Sequence, residues 1–358
     1  MSFKTETRAH MLSKRSRDLD RDTFIFQPFS GRLWCGLNQK LATLNSATFQ
    51  RWIYLMDPDL PEFHLRPITL QKHGILTYVT TPSGPPISPH SLEPLPPGDY
   101  AWVIPEYPTF NGKSPFPFIF FNLSYAALKR ECEEKQWPVR REKLSVYNIP
   151  PGLLTSASLR DKSCFITGSS SEITELAVFW IVPPLWNFDT ICSCVPEGDD
   201  HTSHIVALNV GLMRKDLISA FHDNAFGIDV DDNYRVVVFR DFGPAMASLL
   251  PLGSSAHFRR AQGRQPGPGD AFLREHFRKC LTVHLPRGDI SDDYDIDEIQ
   301  AACDELGLSE RDDAVVPLSD ERWHTVLGKE LLEWYIISSV DSDNVDSNGV
   351  PRGYHGWE

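Results

Sequence analysis

Proline places the strongest constraint on how this chain can fold, because it occupies 28 of the 358 positions. The proline ring fixes φ and removes the backbone N–H, which disfavours proline in helix interiors and in central strands. Prolines cluster within 81–89 and 93–99, and both segments are predicted as loops. The sequence therefore predicts many loops and edge strands and few long helices.

Short β-like runs and separate helical segments predict an α+β fold. In the first half, 23–26 and 74–80 favour strands, and 45–54 favours a helix that Asn45 or Ser46 can cap. Further elements are predicted as strands at 164–167 and 176–182, a hairpin at 227–239, and helices at 122–136, 209–221, 270–280 and 319–339, the last capped by Ser319. The predicted regions are a flexible arm over 1–22, an N-terminal β-rich region over 23–150, a core over 151–250 and a C-terminal helical region over 251–358.

Charge, cysteine content and hydropathy favour a cytoplasmic protein without membrane contact. The seven cysteines are an odd number spread over a long chain, unlike the dense, even set of a small secreted domain. The polar N-terminus lacks the apolar run of a signal peptide, and the longest apolar run, 176–186, is 11 residues, too short to span a bilayer. The net charge of −13 disfavours nucleic acid as a partner, because such binding depends on Lys and Arg.

Three motifs between Cys164 and Phe239 give the most specific signal. They are Cys-Phe-Ile-Thr-Gly at 164–168, Val-Phe-Trp-Ile-Val-Pro at 178–183, and Asn-Val-Gly-Leu-Met-Arg-Lys-Asp-Leu-Ile-Ser-Ala-Phe-His-Asp at 209–223. In this order and spacing the section, roughly a fifth of the chain, resembles the HNH-nuclease-like domain found in many fungal proteins. The resemblance implies a ββα-metal frame within 151–250, with N-terminal strands and C-terminal helices packed around it.

The same resemblance implies an active site that this chain has lost. In the family, a strand histidine activates water and a helix histidine helps to hold a divalent cation. Their counterparts here are Trp180 and Ile218, and neither an indole nor an aliphatic side chain can accept a proton or bind a metal. Asn209 is retained, although asparagine at a helix start is also a common cap. We therefore predict a degenerate frame with no metal, no cofactor and no nuclease chemistry.

Aromatic residues beside the degenerate groove suggest a replacement function. Together with Ile218, six aromatic residues could line an apolar pocket. They are Phe165, Phe179, Trp186, Phe188, Phe221 and Phe226. The leading hypothesis is an enzyme of fungal secondary metabolism that folds an apolar terpenoid or polyketide intermediate for a Diels–Alder-type cyclisation. Candidate catalytic hydrogen-bond donors are Trp180, Asn209, Arg214 and His222.

Two other function classes stay open, together with the partners they imply. One is a non-catalytic binding or regulatory protein that kept the fold, and the other is a metal-dependent HNH endonuclease, which requires the assignment of both histidine positions to be wrong. His222 could replace the lost ligand only through a shift of the alignment along the helix. A small apolar molecule is the expected partner of the enzyme, and a homodimer is left open. A soft-metal site is also left open at one loop cluster, which consists of Cys192, Cys194, His201 and His204. The Cys-x-Cys pair in this cluster would, however, strain a tetrahedral zinc site.

Charged segments near the C-terminus favour structural roles. The run Asp289–Glu298 lacks the glycine and glutamate positions of a calcium loop, so we predict a solvated acidic face or a helix start. Residues 289–322 hold 13 acids and two arginines, so most of the negative charge is local. The basic residues of 259–279 are expected to pair with this acidic segment.

Overall fold

A computed structural model describes residues 13–27, 31–104, 124–134, 148–184, 204–250, 256, 267–308 and 315–342. It confirms the α+β class. The strands are β1 (Thr23–Phe26), β2 (Leu33–Leu37), β3 (His64–Gly74), β4 (Thr77–Pro82), β5 (Gly98–Val103), β6 (Leu176–Trp180), β7 (Val210–Arg214), β8 (Phe226–Asp229) and β9 (Arg235–Val238). The helices are α1 (Lys14–Asp18), α2 (Gln39–Ala42), α3 (Ser46–Met56), α4 (Tyr125–Glu134), α5 (Pro151–Arg160), α6 (Lys215–His222), α7 (Pro244–Ala247), α8 (Asp270–His284), α9 (Ile296–Glu305) and α10 (Val326–Ser342).

A mixed five-stranded sheet, in the order β2-β1-β5-β3-β4, forms the first layer. Strand β1 runs parallel to β5, and the other neighbours are antiparallel. Helix α3 packs on this sheet through Phe49, Trp52 and Ile53, which share one buried cluster with it. The helix begins as predicted, because the Asn45 side chain accepts a hydrogen bond from Thr48 N at 2.8 Å.

Helix α8 connects this layer to the second half of the molecule. Phe277 and Leu281 belong to the cluster of the sheet and α3, whereas Leu273 belongs to the cluster of strands β6–β9 and α6. Strand β8 approaches α8 closely at Gly227, where a Cβ atom would lie 2.9 Å from Phe277 Cδ2 and 3.0 Å from Cys280 Sγ. The buried clusters therefore extend across the boundaries predicted near residues 150 and 250.

Residues 13–22 do not form the predicted flexible arm. Arg15 donates to the carbonyl oxygen of Val283, and Arg21 donates to that of His284. These carbonyls end helix α8, where they lack intrahelical partners and where the helix dipole favours a positive charge. The prediction was wrong for this segment because its partners lie more than 260 positions away in sequence.

Helix α10 is fixed to the β3–β4 hairpin by a buried ion pair. Lys72 Nζ lies 2.5 Å from Glu330 Oε2, and both side chains are buried. Tyr78 Oη donates to the same carboxylate at 2.8 Å. Burial and the charge of Glu330 raise the pKa of Tyr78, so the phenol stays neutral and serves as a donor.

Several element predictions differ from the structure, three of them outside the β6–β7–α6 region. The strand predicted at 74–80 contains the β3–β4 turn, with Leu76 at a φ of 52°. The strand predicted at 164–167 is a turn closed by Gly168 N donating to Cys164 O at 2.8 Å. The last helix begins at Val326 rather than at Ser319, because Asp320 caps a separate 3-10 turn, Glu321–His324.

Across the described residues, no helix has both the length and the apolar character that crossing a bilayer requires. Two further 3-10 turns, Ala207–Asn209 and Ile290–Asp292, are short connectors.

A buried carboxylate, Asp229 on β8, couples the second half of the molecule to α3. Arg51 Nη1 and Nη2 donate to its two oxygens at 2.5 and 2.7 Å, and Trp52 Nε1 donates to Oδ2 at 2.7 Å. Asp229 is 1% exposed. A buried charge is stable only with hydrogen-bonding or charged partners of this kind. Asp229 therefore joins strand β8 to helix α3.

The substitution Asp229→Asn is expected to lower the free energy of unfolding by about 2 kcal/mol, because it removes the buried charged acceptor shared by Trp52 and Arg51, whose side chain is 33% exposed. Urea unfolding followed by circular dichroism measures the loss. Asp231→Asn is the matched control: it removes a 2.7 Å pair with Arg274 whose side chains are 42% and 40% exposed, and should cost less than about 1 kcal/mol. Equal losses in the two variants would contradict a buried coupling role.

Candidate functional site

Strands β6 and β7 and helix α6 form a strand–strand–helix unit at the place where the sequence motifs fall. The two strands pair antiparallel, with Trp180 opposite Val210 and Leu176 opposite Arg214. The helix predicted over 209–221 begins only at Lys215. The preceding residues form β7 because they pair with β6 and are buried on both faces, which removes the alternation that identifies a strand in sequence.

Asn209 joins the two ends of the segment between β6 and β7. Its Oδ1 accepts from Val182 N at 2.9 Å, and its Nδ2 donates to Val182 O at 2.7 Å and to His204 O at 2.9 Å. An amide has two N–H groups, and both are used here. Asn209 was predicted as a donor to a substrate, but its donors are directed to backbone of the same chain.

Trp180, the last residue of β6, lies beneath helix α5. It is 2% exposed and clusters with Ala157 of that helix and Val210 of β7. Arg160 fixes the helix in place by donating to Ala207 O at 2.6 Å and to Val210 O at 2.7 Å. Helix α5 therefore covers the end of β6 at which Trp180 lies.

His222 ends helix α6 and bonds to β6 rather than facing a groove. Its Nε2 lies 3.1 Å from the carbonyl oxygen of Trp180, so the neutral ring donates there. Burial lowers the pKa of His222; the Trp180 carbonyl opposes this shift and Lys129 adds to it. The imidazole is therefore neutral at physiological pH and holds the helix to the strand.

The remaining predicted residues lie apart from these. Arg214 pairs with Asp216 at 2.6 Å, and this hydrogen bond raises the pKa of Arg214. It is four positions from Val210 along β7, about 13 Å from the end where Trp180 sits. Ile218 is half-buried and packs against the cluster of β6–β9. The four candidate catalytic side chains therefore do not converge on one point.

The predicted pocket aromatics pack against one another. Phe165, Phe179, Phe221 and Phe226 are each at most 4% exposed. Ring centroids are 5.8 Å apart for Phe165 and Phe179, 5.2 Å for Phe179 and Phe221, and 5.4 Å for Phe221 and Phe226. These are the distances of rings in mutual contact, so the four fill a core instead of lining a cavity. Outside the described residues lie Trp186, Phe188, Cys192, Cys194 and His201.

A thiol, an imidazole and an amide that were not singled out in the sequence meet between α6 and α8. Cys280 Sγ lies 3.5 Å from His276 Nδ1, and Asn224 Nδ2 lies 3.5 Å from His276 Nε2. The residue types are those of a cysteine nucleophile with its base. Burial, however, raises the pKa of Cys280 and lowers the pKa of His276 to about 3. Both groups are therefore neutral, and a protonated thiol is a poor nucleophile.

Charged segments play structural roles in the described part of the chain. Asp289 accepts from Leu33 N at 2.7 Å and Asp292 accepts from Gly288 N at 2.8 Å, so these carboxylates satisfy backbone donors. The pairing expected between the basic and acidic segments is wrong for Arg274, which pairs with Asp231. Arg278 pairs with Glu275 on the same helix. The described residues contain no group of three or more His, Cys, Asp or Glu that could hold a metal ion.

His204 is the one described member of the loop cluster considered for zinc. Its ring contacts Phe272 with centroids 5.7 Å apart, and its carbonyl accepts from Asn209.

Comparisons of the chain with family models, curated proteins and solved structures found no match. The resemblance to HNH-like domains therefore rests on the motifs, and the geometry of the unit is the basis for a functional proposal.

Asn209→Ala is expected to reduce the free energy of unfolding by about 3 kcal/mol, because it leaves buried backbone groups of Val182 without their partner. Asn38→Ala serves as the control: its side chain caps α2 by accepting from Lys40 N at 3.0 Å, and its loss should cost about 1 kcal/mol. Chemical unfolding of both variants gives the comparison. An Asn209 variant as stable as the wild type would show that the side chain is not structural.

Cys280 should resist alkylation in the native protein, because burial keeps its thiol protonated and out of reach. Iodoacetamide labelling followed by peptide mass spectrometry should modify Cys280 only after unfolding in guanidinium chloride. A short synthetic peptide spanning 270–284 supplies the rate for an accessible thiol. Native labelling at the peptide's rate would overturn the assignment of Cys280 as an inert core residue.

Proposed function

We propose that this chain is a non-catalytic binding protein in which the β6–β7–α6 unit serves as a structural frame. The observation that carries this proposal is the burial of Trp180 beneath α5, which is held there by Arg160. A nuclease needs this position open to a phosphodiester and occupied by a base. Here the position holds an indole and is covered by a helix.

The hydrogen-bonding groups around the unit support the same conclusion. Both amide protons of Asn209 and the Nε2 of His222 are directed to main-chain carbonyls. A polarising donor for a substrate must be available to that substrate. The residues best placed to polarise a substrate therefore hold the frame together.

The cyclase hypothesis loses its main support in this arrangement. It required the aromatic residues to surround a space large enough for an apolar intermediate. Phe165, Phe179, Phe221 and Phe226 instead contact one another. A binding protein needs neither such a space nor a polarising donor.

Nuclease assays with metal analysis test the proposal directly. Supercoiled plasmid incubated with the purified full chain and Mg²⁺, Mn²⁺ or Zn²⁺ should remain as intact as in a protein-free blank. Metal analysis should find far less than one divalent ion per chain. Metal-dependent nicking that coelutes with the protein through two chromatographic steps would overturn the proposal.

Restoring both histidines should not restore cleavage, because α5 still covers the site. The double variant Trp180→His, Ile218→His is therefore expected to leave plasmid uncut, with its fold checked by circular dichroism. Amide hydrogen exchange of the wild type addresses the same point without a substitution. Slow amide exchange over 151–160 is expected if α5 stays in place. Two results would show that the site can open: cleavage of plasmid by the folded double variant, or amide exchange over 151–160 as fast as in an unfolded chain.

A further inference from the structure

Helix α5 leaves most of its surface open to solvent. Of its ten residues, all of them described, only Ala157 is buried. Leu153 is partly buried in the same cluster as Ala157 and Trp180. Leu159 lies about opposite Ala157 on the helix, since two positions turn a side chain by about 200°, and it is 68% exposed. An aliphatic side chain this exposed lacks the free energy that burial would supply.

The surface on this side of α5 is uncharged. Residues 148–159 and 204–213 contain no Asp, Glu, Lys or Arg, although these types make up 23% of the chain. A hydrogen bond from Arg160 to the second segment brings the two segments together next to Leu208, which is 53% exposed. Arg160 is itself neutralised by Asp161 at 2.6 Å, and both side chains are buried. Exposed leucines on a surface without charged groups are typical of the core of a protein–protein interface.

The charge of the chain favours a second copy of itself as the occupant of this surface. Each copy has a net charge of −13, so two copies repel one another over most orientations. An uncharged face is where they can meet with the least repulsion. A basic partner gains nothing from a face without carboxylates, and nucleic acid needs the Lys or Arg that both segments lack.

The outer face of α5 also fits its own copy in shape. Gly152 and Leu159 are seven positions apart, which is about two helical turns, so they lie on the same side about 10 Å apart. A Cβ atom at Gly152 would meet nothing within 4 Å, so the space above this glycine is open. Two α5 helices packed antiparallel about a twofold axis beside Thr155 place Leu159 of each copy over Gly152 of the other.

We infer that the outer face of α5 is a self-association surface through which two copies of the chain form a symmetric dimer. Leu159 of each copy fills the open space at Gly152 of the other, and Leu208 adds apolar area at the edge of the contact. A contact built around one ten-residue helix is small, so the dissociation constant is expected at about 10–100 µM. The dimer does not depend on whether the β6–β7–α6 unit is catalytic, so its test and the nuclease test fail independently.

Sedimentation of the full chain at increasing concentration tests the dimer. The wild type should pass from monomer to dimer between about 1 and 500 µM, and the dimer should tighten as salt screens the repulsion between the copies. Leu159→Glu places a carboxylate on the face and should weaken dimerisation at least about tenfold. Leu92→Glu, the same change at a similarly exposed site, should leave it unchanged. A wild type that stays monomeric, or a Leu159→Glu variant that dimerises like the wild type, would overturn the inference.

Cross-linking at Thr155 tests the arrangement of the two helices. Thr155→Cys should form a disulfide between two copies when the protein is treated with diamide, because this position faces its own copy beside the twofold axis. Mass spectrometry should find the peptide containing position 155 joined to itself. Thr81→Cys, the same change at an exposed site on β4, should give little cross-linking. A dimer without the link at position 155, or equal cross-linking through position 81, would place the contact elsewhere and overturn the α5 surface.

Discussion

The buried C-terminal end of helix α8 is the constraint on which the rest of the structure depends. A helix end leaves carbonyl groups without partners, and in a buried position water cannot replace them. Arg15 and Arg21 supply donors from the opposite end of the sequence. The chain must then turn sharply around them, which Gly288 allows: its φ is 109°, and a Cβ there would lie 2.3 Å from Arg21 Nη1. The same helix contributes side chains to the cores of both halves. Its end must therefore be capped for the two cores to pack against it.

Elements with local signals could be predicted from the sequence. The Asn45 cap, strand β6 and the β8–β9 hairpin are read from residues that lie within a few positions of each other. Strand β7 could not be predicted in this way. Val210, Met213 and Leu217 fit helical spacing, and only pairing with β6 shows that the first two belong to a strand. The prediction for residues 13–22 was wrong for the same reason, because the partners of this segment are distant in sequence.

The candidate site shows a second limit of prediction from sequence. The motifs placed Trp180, Asn209 and Ile218 on one structural unit, but they carried no information on what covers it. Trp180 is hidden by α5, a helix that belongs to no motif and that reaches the strand through Arg160. The Cys280–His276 pair was missed although its spacing of four on one helix was visible, because a thiol and an imidazole one turn apart are also ordinary core residues.

The β6–β7–α6 unit is stabilised by interactions within the chain itself. Asn209 stabilises the unit through backbone groups of Val182 and His204, a role that does not require a metal or a substrate. Trp180 is 2% exposed and Ile218 is half-buried, and apolar side chains gain free energy from burial, about 25 cal/mol for each Å² removed from water. A charged or metal-binding group at the same positions would need solvent or partners. Because α5 covers the Trp180 end of β6, an apolar side chain at that position stabilises the fold.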